Sequence, residues 1–157
     1  VVPQALALIP VEQRPVVTHQ SGEKQIDALR ANYAAAGVQA ELTPFINDTA
    51  LAFADADLVV CRAGASTVTE IAAVGAPALF VPFPSAVDDH QTHNARFLVD
   101  QGGGWLIPQR ELTPQMLADM LQKTERTALV SRGLEAKKMQ KLDATAAVVA
   151  ACEELCA

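Results

Sequence analysis

Leu58-Val59-Val60-Cys61-Arg62-Ala63-Gly64-Ala65-Ser66-Thr67-Val68-Thr69-Glu70-Ile71-Ala72-Ala73-Val74-Gly75-Ala76-Pro77-Ala78-Leu79-Phe80-Val81 holds, in one run, an apolar strand, a helix and a second apolar strand. The first strand, Asp57–Cys61, has an apolar centre without alternation, as a strand covered on both faces requires. A loop of small residues, Arg62–Ser66, follows it. Helical spacing then takes over across Thr67–Val74, Gly75 closes the helix, and Pro77 and Pro82 bracket a strand over Ala78–Val81. Two strands joined by a helix rather than a hairpin belong to a parallel sheet.

The same alternation extends outward in both directions. Upstream, Val16-Val17-Thr18 reads as a strand, Glu23–Ala36 as a helix closed by Gly37, Val38–Thr43 as a strand and Asp48–Ala54 as a short helix. Downstream, a loop through Phe83–Asp88 opens a helix over Asp89–Gln101, Trp105–Ile107 is a weaker strand, and the chain is helical from Thr113 onward. The expected architecture is α/β, a doubly wound parallel sheet whose ligand crevice lies at the carboxyl ends of the strands. Its opening is unusual, because Val2–Ile9 reads as a helix where such a domain ordinarily begins on a strand. The expectation is a sheet that lacks its first strand.

Composition narrows the function classes. A chain of 157 residues predicts one domain, 1–157, with a single core. Half of it is apolar but only 4% is aromatic, and the net charge is −6. That balance disfavours a nucleic-acid partner or an anionic bilayer, both of which call for concentrated Lys and Arg. The longest apolar stretches, such as Ala76–Phe83 and Ala144–Cys152, fall short of the ~20 residues that span a bilayer, and Val1-Val2-Pro3-Gln4 lacks a basic leader. A cytoplasmic protein is expected. Cys61, Cys152 and Cys156 form no CxxC pair and have no histidine partner nearby, so they read as reduced structural thiols without zinc.

The loop after Leu58–Cys61 has the makings of an anion site. Small residues before a helix let free backbone N–H groups approach a ligand at the positive end of the helix dipole. It is neither a Walker loop nor a GxGxxG fingerprint. Glu70, one turn inside, either grips a ribose diol or closes a capping box with Thr67. Arg62 is either a surface ion-pair member or a phosphate partner.

The second loop, Pro82–Ala95, carries Asp88, Asp89, His90, Gln91, His93 and Asn94. Such a polar cluster selects sugar hydroxyls, or else Asp88 and Gln91 form a capping pair. A metal bound by His90 and His93 with the aspartates lacks a firm third ligand. His19-Gln20-Ser21-Gly22 either lines the crevice or caps the Glu23 helix through Ser21. In Phe45-Ile46-Asn47-Asp48, exposed backbone near Ile46 could meet a base edge, while Asn47 or Asp48 could equally cap the next helix. No nucleophile-plus-base constellation is present.

Taken in order, His19–Gly22, Phe45–Asp48, Arg62–Ala73 and Pro82–Ala95 closely resemble the C-terminal domain of the MurG family of bacterial glycosyltransferases, glycosyltransferase family 28, of GT-B architecture. The resemblance implies an inverting transfer of GlcNAc from UDP-GlcNAc to undecaprenyl-pyrophosphoryl-muramyl-pentapeptide, making lipid II for peptidoglycan. It implies that the backbone at Ile46 reads uracil, that Ala65, Ser66 and Thr67 present N–H groups to the diphosphate, and that Glu70 holds the ribose. Gln91, with His90 beside it, would contact the sugar. Arg62, Val68 and Thr69 complete the implied binding set.

Neither a metal nor a cofactor is implied, and no catalytic residue falls in this chain. Family members often carry two adjacent glutamines where this chain has His90-Gln91. The resemblance also implies a preceding Gly-Gly-Ser turn and an N-terminal domain that supplies the acceptor pocket, the membrane-facing surface and the base. The complete enzyme would then be peripheral on the cytoplasmic face of the inner membrane, and this chain alone inactive. Alternatives are another UDP-sugar enzyme of GT-B architecture, such as a glycolipid transferase or a 2-epimerase, and a non-catalytic nucleotide-sugar-binding subunit.

Overall fold

The computed structural model describes residues 1–84 and 89–156. Its elements are α1 (Val2–Ala7), β1 (Thr18–Gln20), α2 (Ile26–Ala36), β2 (Glu41–Thr43), α3 (Thr49–Asp55), β3 (Val59–Cys61) and α4 (Ala65–Val74), followed by β4 (Ala78–Phe80), α5 (His90–Val99), β5 (Gly104–Leu106), α6 (Pro114–Lys123), α7 (Arg126–Lys138) and α8 (Ala144–Cys156). Strand and helix alternate as the apolar periodicity predicts. Gly75 ends α4 at φ +81, the left-handed conformation a side chain resists.

All strand pairing is parallel, but the sheet is in two parts. β1 pairs with β2, Thr18 opposite Glu41, and β3, β4 and β5 pair in that order, with Val59 opposite Ala78 and Ala78 opposite Gly104. β1 and β3 therefore each keep one unpaired edge among the described residues. This corrects the reading of Leu58–Val60 as covered on both faces: Val59 is buried, yet Val60 is 40% exposed. The Val60 side chain points to the face opposite that of Val59 and is only partly covered there.

The single core expected from length resolves into two layers, one on each face. Leu79 and Val81 pack with Leu6, Ile9, Tyr33 and Leu117 from the α1, α2 and α6 side. Ala78 and Phe80 pack with Val68, Ile71, Ala95, Leu98 and Ala136 from α4, α5 and α7. Successive residues of β4 alternate between the layers because a strand points its side chains to opposite faces in turn. Ile71, Leu79, Phe80 and Leu98 are fully buried, and each such side chain stabilises the fold by about 1.5–3 kcal/mol.

Two cations staple α7 to its neighbours, one to β5 and one to α4. The Arg132 guanidinium donates to the carbonyls of Gly102 and Gly104 and stacks 4.0 Å over the Trp105 ring, while Lys137 Nζ donates to the Ala73 carbonyl at the end of α4. α8 differs, since all of its described residues are exposed, including Val148, Val149 and Leu155. No helix among the described residues is long and apolar enough to cross a membrane.

Candidate functional site

At the carboxyl end of β3 the chain turns through Arg62-Ala63-Gly64 into α4, which starts at Ala65 with Gly64 as its N-cap. The helix therefore begins two residues earlier than the sequence pattern suggests. Thr67 is the third helical residue rather than a cap, and no side chain caps this helix. The capping box of Thr67 and Glu70 is absent. Val68 N–H takes the Gly64 carbonyl at 3.0 Å, and the N–H groups of Ala65, Ser66 and Thr67 have no acceptor among the described residues, as in the first turn of a helix.

Glu70 is exposed and accepts no hydrogen bond from the described residues. It lies on the same stripe as Ser66, four positions on, so its carboxylate stands one turn from the open helix end. Thr69 turns its hydroxyl back to the Ala65 carbonyl at 2.8 Å, and Val68 is buried in the core with its N–H engaged. Those two hold the turn and the core.

Arg62 forms no ion pair among the described residues. Its Nη1 donates to the Val81 and Pro82 carbonyls at 3.0 and 3.1 Å, its Nη2 to Gln109 Oε1 at 2.6 Å, and the guanidinium lies 5.5 Å from the centre of the Phe83 ring. It ties the tip of β3 to the tip of β4 and to the segment after β5. Burial pushes the neighbouring Cys61 thiol up to about 12, so this strand-end sulfur stays a thiol.

Gln91 enters from α5. Its Oε1 accepts from Phe83 N–H at 2.9 Å and from Ala63 N–H at 3.3 Å, bridging the tips of β3 and β4. The alternative capping pair of Asp88 and Gln91 falls on Asp88, which lies outside the described residues along with Ser85, Ala86 and Val87. α5 takes Asp89 as N-cap instead, in the left-handed region at φ 52, with the Asp89 carboxylate accepting from the Thr92 hydroxyl at 2.6 Å and the Asp89 carbonyl 3.1 Å from His93 Nδ1. His90 opens α5 and is exposed. Asn94, which the sequence reading left without a role of its own, donates from Nδ2 to the Ala63 carbonyl at 3.0 Å.

Ile46 sits in the turn between β2 and α3, where neither its N–H nor its carbonyl is bonded to the described residues. Asp48 caps α3, its Oδ1 accepting from Leu51 N–H at 2.9 Å, which resolves the choice between Asn47 and Asp48. Ser21 caps nothing: its hydroxyl donates to the Gly22 carbonyl, and a 3-10 turn at Glu23–Gln25 leads into α2 without a side-chain cap. His19 packs edge-on against buried Tyr33, with Nδ1 3.0 Å from the hydroxyl. It serves that contact rather than lining the crevice.

Arg62 and Gln91 thus meet at the tips of β3 and β4 beside the open first turn of α4, Ala65, Ser66 and Thr67, and Glu70 lies one turn further along that helix. A separate groove of about 310 Å³ lies near the amino ends of β3 and β4, lined by Asp57, Gly75, Pro77, Arg126, Leu129 and Lys137, none of them among these residues.

The model of the glycosyltransferase family 28 C-terminal domain matches residues 1–151. A UDP-N-acetylglucosamine--N-acetylmuramyl-(pentapeptide) pyrophosphoryl-undecaprenol N-acetylglucosamine transferase of Albidiferax ferrireducens is 79% identical over 99% of this chain and 40% of its own length. The protein of the same name from Azoarcus sp. is 60% identical over 98% of the chain and 43% of its own. The crystal structure of Acinetobacter baumannii MurG superposes with a TM-score of 0.87 at 39% identity, over 98% of this chain and 46% of that one. The glycosyltransferase VinC, solved with dTDP, reaches a TM-score of 0.62 at 19% identity, a likeness of fold alone. The chain spans less than half the length of the relatives it matches. Matched along nearly its whole length, it belongs to the glycosyltransferase family 28 C-terminal domain family.

Proposed function

We propose that this chain is the donor-binding domain, 1–157, of an inverting transferase that moves GlcNAc from UDP-GlcNAc to undecaprenyl-pyrophosphoryl-muramyl-pentapeptide and so makes lipid II. The observation that carries the reading is an open helix terminus with an unengaged carboxylate one turn along it. Main-chain N–H groups of Ala65, Ser66 and Thr67 suit a diphosphate, and Glu70 suits a ribose diol. The names of the close relatives supply the donor and the acceptor.

In this reading the unbonded Ile46 backbone meets uracil, and the Gln91 amide, with His90 beside it, meets the sugar. Arg62 holds the two strand tips in place while adding positive potential near the phosphates. An acceptor hydroxyl attacks the anomeric carbon as the UDP oxygen leaves. The helix-end N–H groups, fixed before reaction, stabilise the charge that grows on the leaving diphosphate. No metal or cofactor has a step in this scheme. The acceptor pocket, the catalytic base and the contact with the cytoplasmic face of the inner membrane belong to a separate N-terminal domain, so this chain by itself binds donor without turnover.

Titration of the 157-residue chain with UDP and UDP-GlcNAc, followed by residue-resolved NMR, tests the reading. Shifts are expected at Ile46, Ala65–Thr67, Glu70 and Gln91. Shifts confined to α6, α7 and α8 would overturn it. Product analysis of the complete enzyme separates a transferase, which needs acceptor, from an epimerase, which does not.

A further inference from the structure

We propose that Thr43 is a positioning residue whose hydroxyl sets the base selectivity of this chain, by fixing the peptide that carries the Ile46 N–H. The proposal rests on the reading of the Ile46 backbone as the uracil contact for its consequence in binding, but not for its geometry. Thr43 ends β2, and its Oγ1 meets both backbone groups of the residue two positions on. It donates to the Phe45 carbonyl at 2.8 Å and accepts from the Phe45 N–H at 3.3 Å.

Peptide units are planar, so holding one end of a plane aims the other. The Phe45 carbonyl and the Ile46 N–H share a plane, and the hydroxyl bonded to the first sets the direction of the second. The plane before it, Pro44–Phe45, is held at both ends, its N–H by Thr43 Oγ1 and its carbonyl by the Gly22 N–H at 3.0 Å. One residue earlier, the Thr43 carbonyl accepts from the Ser21 N–H at 3.3 Å. Contact between the β1 and β2 segments thus runs on past both strands, and Ser21 and Gly22, which cap no helix by side chain, support this turn instead. Gly22 reaches Pro44 from φ +81, a backbone that other residues resist.

Pro44 has no N–H and the Phe45 N–H is engaged, so the Ile46 N–H is the first unengaged backbone donor after β2. A backbone donor beside a backbone acceptor matches uracil, whose O4 accepts and whose N3–H donates. The same pair opposes cytosine, in which N4–H donates and N3 accepts. Selectivity of this kind needs the donor held still, because a peptide free to rotate turns its N–H away and loses the distinction between the bases. Thr43 supplies that restraint without touching the ligand.

The test measures UDP and CDP dissociation constants by calorimetry in the complete enzyme for Thr43→Val and Thr43→Ser. Valine keeps the branched shape a strand favours but lacks the hydroxyl, and serine keeps the hydroxyl. Thr18→Val is the control, since the Thr18 hydroxyl meets Glu41 at the other end of the same strand pair. Thr43→Val is expected to raise the UDP Kd about tenfold, the effect of one hydrogen bond, and to leave the CDP Kd unchanged. The donor KM should rise by the same factor with kcat retained. Thr43→Ser and Thr18→Val are expected to keep the wild-type preference for UDP.

An unchanged UDP preference in folded Thr43→Val would overturn the proposal, and so would a loss shared equally by CDP or a loss as large in Thr43→Ser. If Thr43→Val does not fold, amide exchange in the wild type decides: a Phe45 amide protected before ligand is added supports the role, and one exchanging at the rate of an unstructured peptide refutes it. Should the wild type prefer neither nucleotide, the uracil reading falls by itself. Phe45 amide protection, lost in Thr43→Val and kept in Thr43→Ser, then still shows that the hydroxyl holds the turn, and protection kept in Thr43→Val refutes it.

Discussion

A Cβ added to Gly133 in α7 would lie 2.5 Å from the carbonyl oxygen of Gly75 at the end of α4. The two helices meet at backbone distance there, and the obstacle is a main-chain atom that cannot rotate away. Alanine in a helix interior ordinarily gains about 0.5–1 kcal/mol over glycine. Here the overlap outweighs it, since forcing an extra methyl into a packed contact costs about 1–3 kcal/mol. Gly133→Ala is therefore expected to lower the urea midpoint, and an unchanged or raised midpoint would contradict the packing.

Glu70→Ala separates binding from stability. Because Glu70 caps nothing, its removal should leave the unfolding free energy within about 0.5 kcal/mol, as surface substitutions do. Donor affinity should fall by about 1.5–3 kcal/mol, the range for hydrogen bonds to a charged group. Calorimetry and thermal melts on the same preparation read both. A destabilised variant with unchanged affinity would restore the capping role.

Asp48→Ala should cost about 1 kcal/mol by loss of the α3 cap, whereas its neighbour Asn47→Ala should stay within about 0.5 kcal/mol. Paired denaturant curves distinguish the two positions, and equal effects would place the cap elsewhere.

The His19–Tyr33 contact predicts a pH response with a definite sign. Burial lowers the His19 pKa below its ordinary 6.5. As pH falls through 6.5 the unfolded chain takes up a proton that the folded chain refuses, so this share of stability is present above 6.5 and lost below it. His19→Gln should flatten that part of the stability curve. An unaltered slope in the variant would assign the response to other groups.

Thiol chemistry should divide the three cysteines. A thiol-directed reagent at neutral pH should label exposed Cys152 and Cys156 and spare Cys61, whose thiol burial raises to about 12. Denaturant should release the third. Early labelling of Cys61 would mean that β3 opens locally.

Much of this molecule was readable from local pattern. The strand-helix-strand rhythm from Leu58 to Val81 survives in the structure, and so do Gly37 and Gly75 as helix ends. What failed was whatever depends on partners distant in sequence. Thr67 and Glu70 fit a capping box in spacing, but Gly64 began the helix earlier and left the glutamate unengaged. Val60 looked like core because its neighbours are apolar, whereas how far its face of the strand is covered depends on elements distant in sequence. Asn94 reaches Ala63 across 31 residues, a relation that no spacing rule contains.

β4 feeds buried side chains to both apolar layers, Ala78 and Phe80 on one side and Leu79, with Val81 just past its end, on the other. A single residue inserted or deleted between Gly75 and Ala78 would turn that strand over, sending the phenyl ring toward α1 and the leucine toward α4. The segment is thus intolerant of length change in a way that its modest composition of alanines hides, and lineages of this domain should vary there by substitution rather than by indel.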